Sequence, residues 1–247
     1  MKLLKIIITS LGVVAASSMY ISCVKGAPDK VAVTDSDFSN KALVQVFVAT
    51  VNATRNYIYV DNAPVNGAPI VSGSIFPAVG TGFNLTGGVR SFLVRDTQTI
   101  TTPVTTQIPL NFAQNLQAGK HYSVFLYDTI TTPKQKTVVD NIVIPTDTTA
   151  KIRFANFIYN PTIVPAVDVF SFYRNINIFT NVAVTDVTDF VAYPSRLTLD
   201  TLYIRETGTM NLLLKIPITL LTPKRSYTLV YRGSYRGTRV GTLYGNY

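Results

Sequence analysis

The chain has 247 residues and no tryptophan, a single cysteine, a single histidine and three methionines. Its 13 acidic residues include only one glutamate, Glu206. One cysteine excludes a disulfide scaffold, and one Cys with one His excludes a centre built from those ligands. Scarce Glu argues against a helical bundle, which draws on Glu, Lys, Leu and Ala. Low charge, 14% against 47% hydrophobic residues, argues against disorder. In their place stand Val, Ile, Thr, Tyr and Phe, 108 residues together. These β-branched and aromatic residues favour strands, so the composition predicts an all-β globular chain. The net charge of +9 favours acidic surfaces without naming one.

The N-terminus reads as an export signal. Lys2 and Lys5 precede an apolar stretch from Ile6 to Ala16, interrupted by Thr9, Ser10 and Gly12. Its 11 residues are too few to span a bilayer as a helix, which takes about 20. Met19-Tyr20-Ile21-Ser22-Cys23 follows and resembles the lipobox of bacterial lipoproteins, whose Cys becomes the lipidated first residue. Residues 1–22 are therefore expected to form the signal peptide. Cys23 is expected to carry a lipid anchor, and residues 23–41 to form a flexible tether. The 17 residues from Val24 to Asn40 reach up to ~55 Å when extended. This predicts an exported protein anchored in a membrane through Cys23, most naturally the outer membrane, with its periplasmic or extracellular face left open.

From Ala42 onward, short strand-like runs alternate with turn residues such as Asn66-Gly67, Gly87-Gly88 and Ala118-Gly119. That spacing predicts sandwiches of short antiparallel strands. Ile152 and Phe154 alternate with Lys151 and Arg153, Leu197 and Leu199 with Arg196, Thr198 and Asp200, and Tyr227, Leu229 and Tyr231 with Ser226, Thr228, Val230 and Arg232. Each pattern predicts one buried face and one wet face.

The two halves also match each other. Ala42 to Val46 parallels Ala150 to Phe154, each leading to an Asn (Asn52, Asn156), and a later strand ends in Asp (Asp61, Asp168). Leu116 to Val124 parallels Leu221 to Leu229. Two tandem units are expected, 42–145 and 150–247.

The second unit quotes these elements most clearly, in Lys151-Ile152-Arg153-Phe154-Ala155-Asn156 and Pro165-Ala166-Val167-Asp168-Val169-Phe170. With the Tyr-containing strand near the end of each unit, this pattern resembles domain-of-unknown-function 4397, found in tandem in Bacteroidetes-type envelope lipoproteins. The resemblance implies two immunoglobulin-like or related β-sandwich domains and no established activity.

Few residues suggest chemistry. His121 has no recognisable nucleophile motif to serve. Asp35-x-Asp37 and Asp186-x-x-Asp189 lack the pattern of an EF-hand loop, and turn capping explains them. No metal site, cofactor or catalytic residue is expected, and a hydrolase using paired Asp residues is a remote alternative. Three Asp-Thr-containing triplets (Asp128, Asp147, Asp200) match a short O-glycosylation pattern expected by chance in a Thr-rich chain.

The C-terminal stretch interleaves basic and aromatic residues. Arg225, Arg232, Tyr235, Arg236 and Arg239 form a candidate patch for an anionic ligand, with an edge-protected hairpin as the plainer reading. Residues 150–247 hold 11 basic and 5 acidic side chains, so most of the positive charge lies there. Export argues against nucleic acid as the partner. The function expected is a non-catalytic binding or structural module, with an accessory role in binding carbohydrate, as acidic glycan or lipopolysaccharide, as the alternative.

Overall fold

The computed structural model describes residues 39–79, 81–96, 108–195, 199–219 and 221–246. They belong to one compact unit and hold seventeen strands and no helix. The protein is all-β, as its composition predicts.

The first half contributes nine strands: β1 (Lys41–Val48), β2 (Asn56–Val60), β3 (Ala63–Pro64), β4 (Ile75–Phe76), β5 (Phe83–Thr86), β6 (Gly88–Asp96), β7 (Leu110–Leu116), β8 (His121–Tyr127) and β9 (Lys134–Asp140). They form an inner sheet ordered β4-β1-β8-β9, with β5 also on β1, and an outer sheet ordered β3-β2-β6-β7. The second half contributes β10 (Ala150–Tyr159), β11 (Val167–Ser171), β12 (Ile176–Val182), β13 (Val191–Tyr193), β14 (Asp200–Glu206), β15 (Leu212–Ile218), β16 (Ser226–Ser234) and β17 (Arg239–Gly245). Its inner sheet is β13-β10-β16-β17 and its outer sheet is β12-β11-β14-β15.

The same strand order thus occurs twice. In each inner sheet the opening strand runs parallel to the penultimate one, with Val44 opposite Tyr122 and Ile152 opposite Tyr227. All other pairings between strands are antiparallel. Register also corrects two of the internal matches. Tyr57 faces Arg95 on the neighbouring strand as Asp168 faces Arg205, so Asp168 corresponds to Tyr57 and not to Asp61. Asp168 lies inside β11, and Asn156 lies inside β10, whereas Asn52 follows β1.

The burial pattern explains how the sheets stack. In the first half, Ala42, Val44, Val46 and Val124 of the inner sheet pack on Ile58, Phe92 and Val94 of the outer one. In the second, Ile152, Phe154, Leu229 and Tyr231 pack on Val167, Val169, Leu202 and Ile204. A third cluster joins the two inner sheets through Phe47 and Phe125 on one side and Phe157, Val230 and Tyr244 on the other. The result is four layers, outer-inner-inner-outer. Strands β1, β8, β10 and β16 are covered on both faces, which is why their burial is nearly continuous.

The expectation that Arg153 and Thr228 meet water is therefore corrected. They alternate as predicted, but their face meets the other half, leaving Arg153 2% and Thr228 0% exposed. Leu199 is also corrected: it is exposed, whereas the neighbouring Asp200 is buried at the start of β14. Its partners in that pattern, 196–198, lie outside the described residues.

The joint between halves combines rings with a closed polar network. Phe47 stacks on Tyr244 at 5.3 Å and Phe125 on Phe157 at 4.7 Å. Arg153 pairs with Asp140 at 2.6 Å, with both side chains almost wholly buried. Its guanidinium also donates to Thr228 Oγ1 and Ser123 Oγ, each at 2.8 Å, and lies over the Phe190 ring. Ser123 donates to Asp140, and Asn246 donates to Gln45 at 3.1 Å. A buried charge is tolerated only when paired and hydrogen-bonded, and here every arm of the guanidinium is used.

Candidate functional site

Packing directs strands β1, β8, β10 and β16 the same way: β1 runs parallel to β8 and β10 to β16, Ser123 near the start of β8 meets Arg153 near the start of β10, and Phe125 and Tyr127 toward the end of β8 meet Phe157 toward the end of β10. The molecule therefore has an entry end, where the chain arrives at Lys41, and a far end.

This geometry separates the five residues of the C-terminal patch. Arg225 precedes β16 at the entry end, whereas Arg232, Tyr235, Arg236 and Arg239 lie at or beyond its far end. The nine residues of β16 separate Arg225 from Tyr235, a rise of about 30 Å. The five do not converge on one surface. Three of them brace the fold. Arg232 donates to Thr242 Oγ1 at 3.0 Å and to Ser72 Oγ of the first half at 3.4 Å, and burial lowers its pKa. Arg239 donates to the carbonyls of Tyr235 (2.7 Å) and Leu213 (3.2 Å). The Tyr235 hydroxyl donates to Glu206. Burial foremost, and then that hydrogen bond, raise the Tyr235 pKa. Arg225 and Arg236 are exposed.

Cys23, the signal segment, the tether and Asp35-x-Asp37 lie outside the described residues. His121 opens β8 opposite Asp140 and has an unpartnered Nδ1. The Asp140 carboxylate is already taken by Arg153 and Ser123, so it does not orient the imidazole. Asp186 sits in a turn on the segment joining β12 to β13 and approaches Lys136 Nζ at 4.0 Å. Among the described residues, no group of three or more His, Cys, Asp or Glu side chains is placed to hold a metal.

What the sequence did not single out is a cleft at the far end, about 470 Å³, walled by both halves. The first half supplies Tyr127, Asp128 and Lys134. The second supplies Phe157, Tyr159 and Asn160, with Ile163 and Thr185 at the margin. Tyr127 and Phe157 meet across the joint at 5.2 Å.

Two backbone positions on this cleft are strained. Asp128 has φ 74° and Thr185 has φ 73°. A β-branched residue in this region is an outlier that costs of order 1–3 kcal/mol. Hydrogen bonds hold both in place. The Asp128 carboxylate accepts from the Thr129 N–H at 2.9 Å, the Thr132 hydroxyl at 3.0 Å and Lys134 Nζ at 2.8 Å. That last bond raises the Lys134 pKa. The Thr185 carbonyl accepts from Lys136 Nζ of the first half at 2.6 Å, and its N–H donates to the Asn156 carbonyl at 2.6 Å. Asn160 donates to Thr162, while its own Oδ1 has no partner.

The cleft thus offers ring surface and a carboxylate–amine pair in a volume typical of small-ligand pockets, with the buried, unpartnered Asn160 Oδ1 beside it. Asp128 is the sole carboxylate among its lining residues. Two-carboxylate hydrolysis has no second partner there.

Compared with known proteins, the chain matches no protein-family model and no curated protein.

Proposed function

We propose that the protein is an exported envelope lipoprotein, anchored through Cys23, that acts as a non-catalytic binding module. Its ligand site is the far-end cleft, and the ligand class it suits is carbohydrate. The observation that carries this reading is the convergence of Tyr127, Tyr159, Asn160 and the Asp128–Lys134 pair on a cleft opposite the end where the chain enters. An anchored module presents that end away from its membrane. The rings supply apolar faces for a sugar ring, and the polar groups supply hydrogen-bond partners for its hydroxyls.

A glycan and lipopolysaccharide array tests it. Binding is expected for the native chain, and a loss of at least tenfold for Tyr159→Ala with an unchanged melting temperature, while Arg236→Gln binds as the native chain does. Absence of any bound glycan, or binding indifferent to Tyr159→Ala, overturns the assignment. For the anchor, fatty-acid labelling is expected to vanish in Cys23→Ala.

A further inference from the structure

The entry end gathers features that no single stretch of sequence displays. The chain reaches it at Asn40, whose carbonyl accepts from the Gly87 N–H, and the Lys41 carbonyl accepts from the Gly119 N–H. Lys120 follows directly. On the second half, the Lys224 N–H donates to the Thr149 carbonyl and the Lys151 N–H to that of Arg225, so both basic residues stand beside the start of β10. Lys120, Lys224 and Arg225 are all exposed.

Apolar side chains stand among these charges. Phe172 and Tyr173, on the turn from β11 to β12, are 63% and 62% exposed, and Leu199 is 68% exposed. Their position is tied to the same end. The Tyr173 N–H donates to Asp200 at 2.8 Å, Tyr193 donates to the same carboxylate, and Tyr193 lies opposite Ala150. The segment from β9 to β10 crosses this end with Val143 and Ile144, 58% and 46% exposed.

Among the described residues, opposing charge at this end is small. Asp140 and Asp200 are buried and hydrogen-bonded within the fold, and Asp61 is paired with Arg90 at 2.9 Å. Asp147 is exposed and accepts from the Thr149 N–H and hydroxyl.

We infer that this end is a second membrane contact, a docking face for an anionic lipid surface beside the lipid anchor. A lipid surface is favoured over a protein partner on two grounds. Exposed rings and aliphatic side chains mixed with Lys and Arg form the composition that settles at a bilayer interface, where apolar groups enter the headgroup region and cations meet phosphate. In addition, the 15 residues from Val24 to Phe38 join Cys23 to this end, so along the chain this face stands nearest a lipid at Cys23. The inference rests on the anchored reading for its biological setting.

The test uses the chain beginning at Val24, which carries no acyl group and retains all three apolar clusters, since these lie within Phe38–Tyr247. It is sedimented with vesicles of phosphatidylglycerol mixed with phosphatidylethanolamine, and with vesicles of phosphatidylcholine alone. Binding is expected to the anionic vesicles only, and to fall with added salt. Each basic side chain near such a surface is worth about fivefold in binding, so Lys120→Gln with Lys224→Gln is expected to weaken it roughly 25-fold. Phe172→Ala with Tyr173→Ala weakens it as well, while Arg236→Gln at the far end leaves it unchanged. Equal binding to both vesicles, no binding to either, or indifference to these substitutions overturns the inference. So does capture of an acidic protein by a chain that ignores vesicles. Because no lipid is attached, these outcomes are independent of whether Cys23 is acylated.

Discussion

Replacing Arg153 with Ala isolates the energetics of the joint between the halves. The pair it forms with Asp140 is 2.6 Å long, with side chains 3% and 2% exposed. Removing the guanidinium strands the Asp140 carboxylate in a dry interface with Ser123 as its remaining donor. It also deprives Thr228 of a bond and opens space beside Phe190. Breaking a buried pair from one side costs about 3–5 kcal/mol. For a body of this size, each kcal/mol lowers the melting temperature by about 2–4 °C, so a fall of roughly 6–20 °C is expected. Replacing both charges, Arg153→Met with Asp140→Leu, removes the stranded carboxylate and is expected to recover most of that loss. Thermal melts followed by circular dichroism, with urea unfolding alongside, read both effects. The reasoning fails if Arg153→Ala costs less than about 1 kcal/mol, or if the double variant is no more stable than the single one.

Two other perturbations test different parts of the fold. Gly233 and Gly119 share left-handed backbone, at φ 95° and 74°, but a Cβ on Gly233 stands 2.2 Å from the Thr238 carbonyl oxygen while one on Gly119 meets nothing within 4 Å. Gly119→Ala is therefore expected to cost about 1 kcal/mol and Gly233→Ala clearly more, measured by urea midpoint, and equal costs would refute the clash. Burial acts to raise the Asp200 pKa, but hydrogen bonds from the Ser171 and Tyr193 hydroxyls and the Tyr173 and Thr201 N–H groups outweigh it and hold the pKa below the usual carboxylate value. A depressed folded pKa gives stability that is full above the unfolded value near 3.9 and is lost as pH falls through the folded value. Stability is thus expected to decline below about pH 4, and Asp200→Asn to make that decline shallower; an unchanged slope would refute the assignment.

How far the sequence could be read follows from what each pattern encodes. The opening strands at Ala42 and Ala150, and the parallel between Tyr122 and Tyr227, were legible because apolar alternation and turn residues report local structure. What covers the second face was not. The alternation Lys151-Ile152-Arg153-Phe154 is the same whether Arg153 meets water or a second sheet, and only Asp140, Ser123 and Thr228 decide it. The C-terminal patch misled for a related reason: nearness in sequence is distance along a strand, and β16 carries Arg225 and Arg236 to opposite ends. The cleft had almost no signal, because its walls come from segments around residues 127–134, 157–164 and 183–185 that meet only after both halves pack. The sole local hint was Tyr159-Asn160-Pro161, where a proline ends β10.

The buried pair and the cleft answer one another. A polar network at a joint is poor value as stability alone, since well-packed apolar residues of similar volume hold such surfaces at least as well. Its geometry, however, admits one arrangement: Thr228 of the same sheet receives the Arg153 Nε–H and aims the guanidinium at Asp140 and Ser123 of the first half, and a slide of one inner sheet on the other by one residue breaks both bonds across the joint. At the other end of the same joint, Tyr127 faces Phe157, and Lys136 of the first half holds the strained Thr185 of the second. A site made of two walls keeps its shape only if the walls keep their register. The polar lock fixes the register that apolar contact between Phe47, Phe125, Phe157 and Tyr244 leaves free to slide. The double variant that regains stability is therefore expected to bind glycan less well than the native chain does, which separates the role of the pair in register from its role in stability.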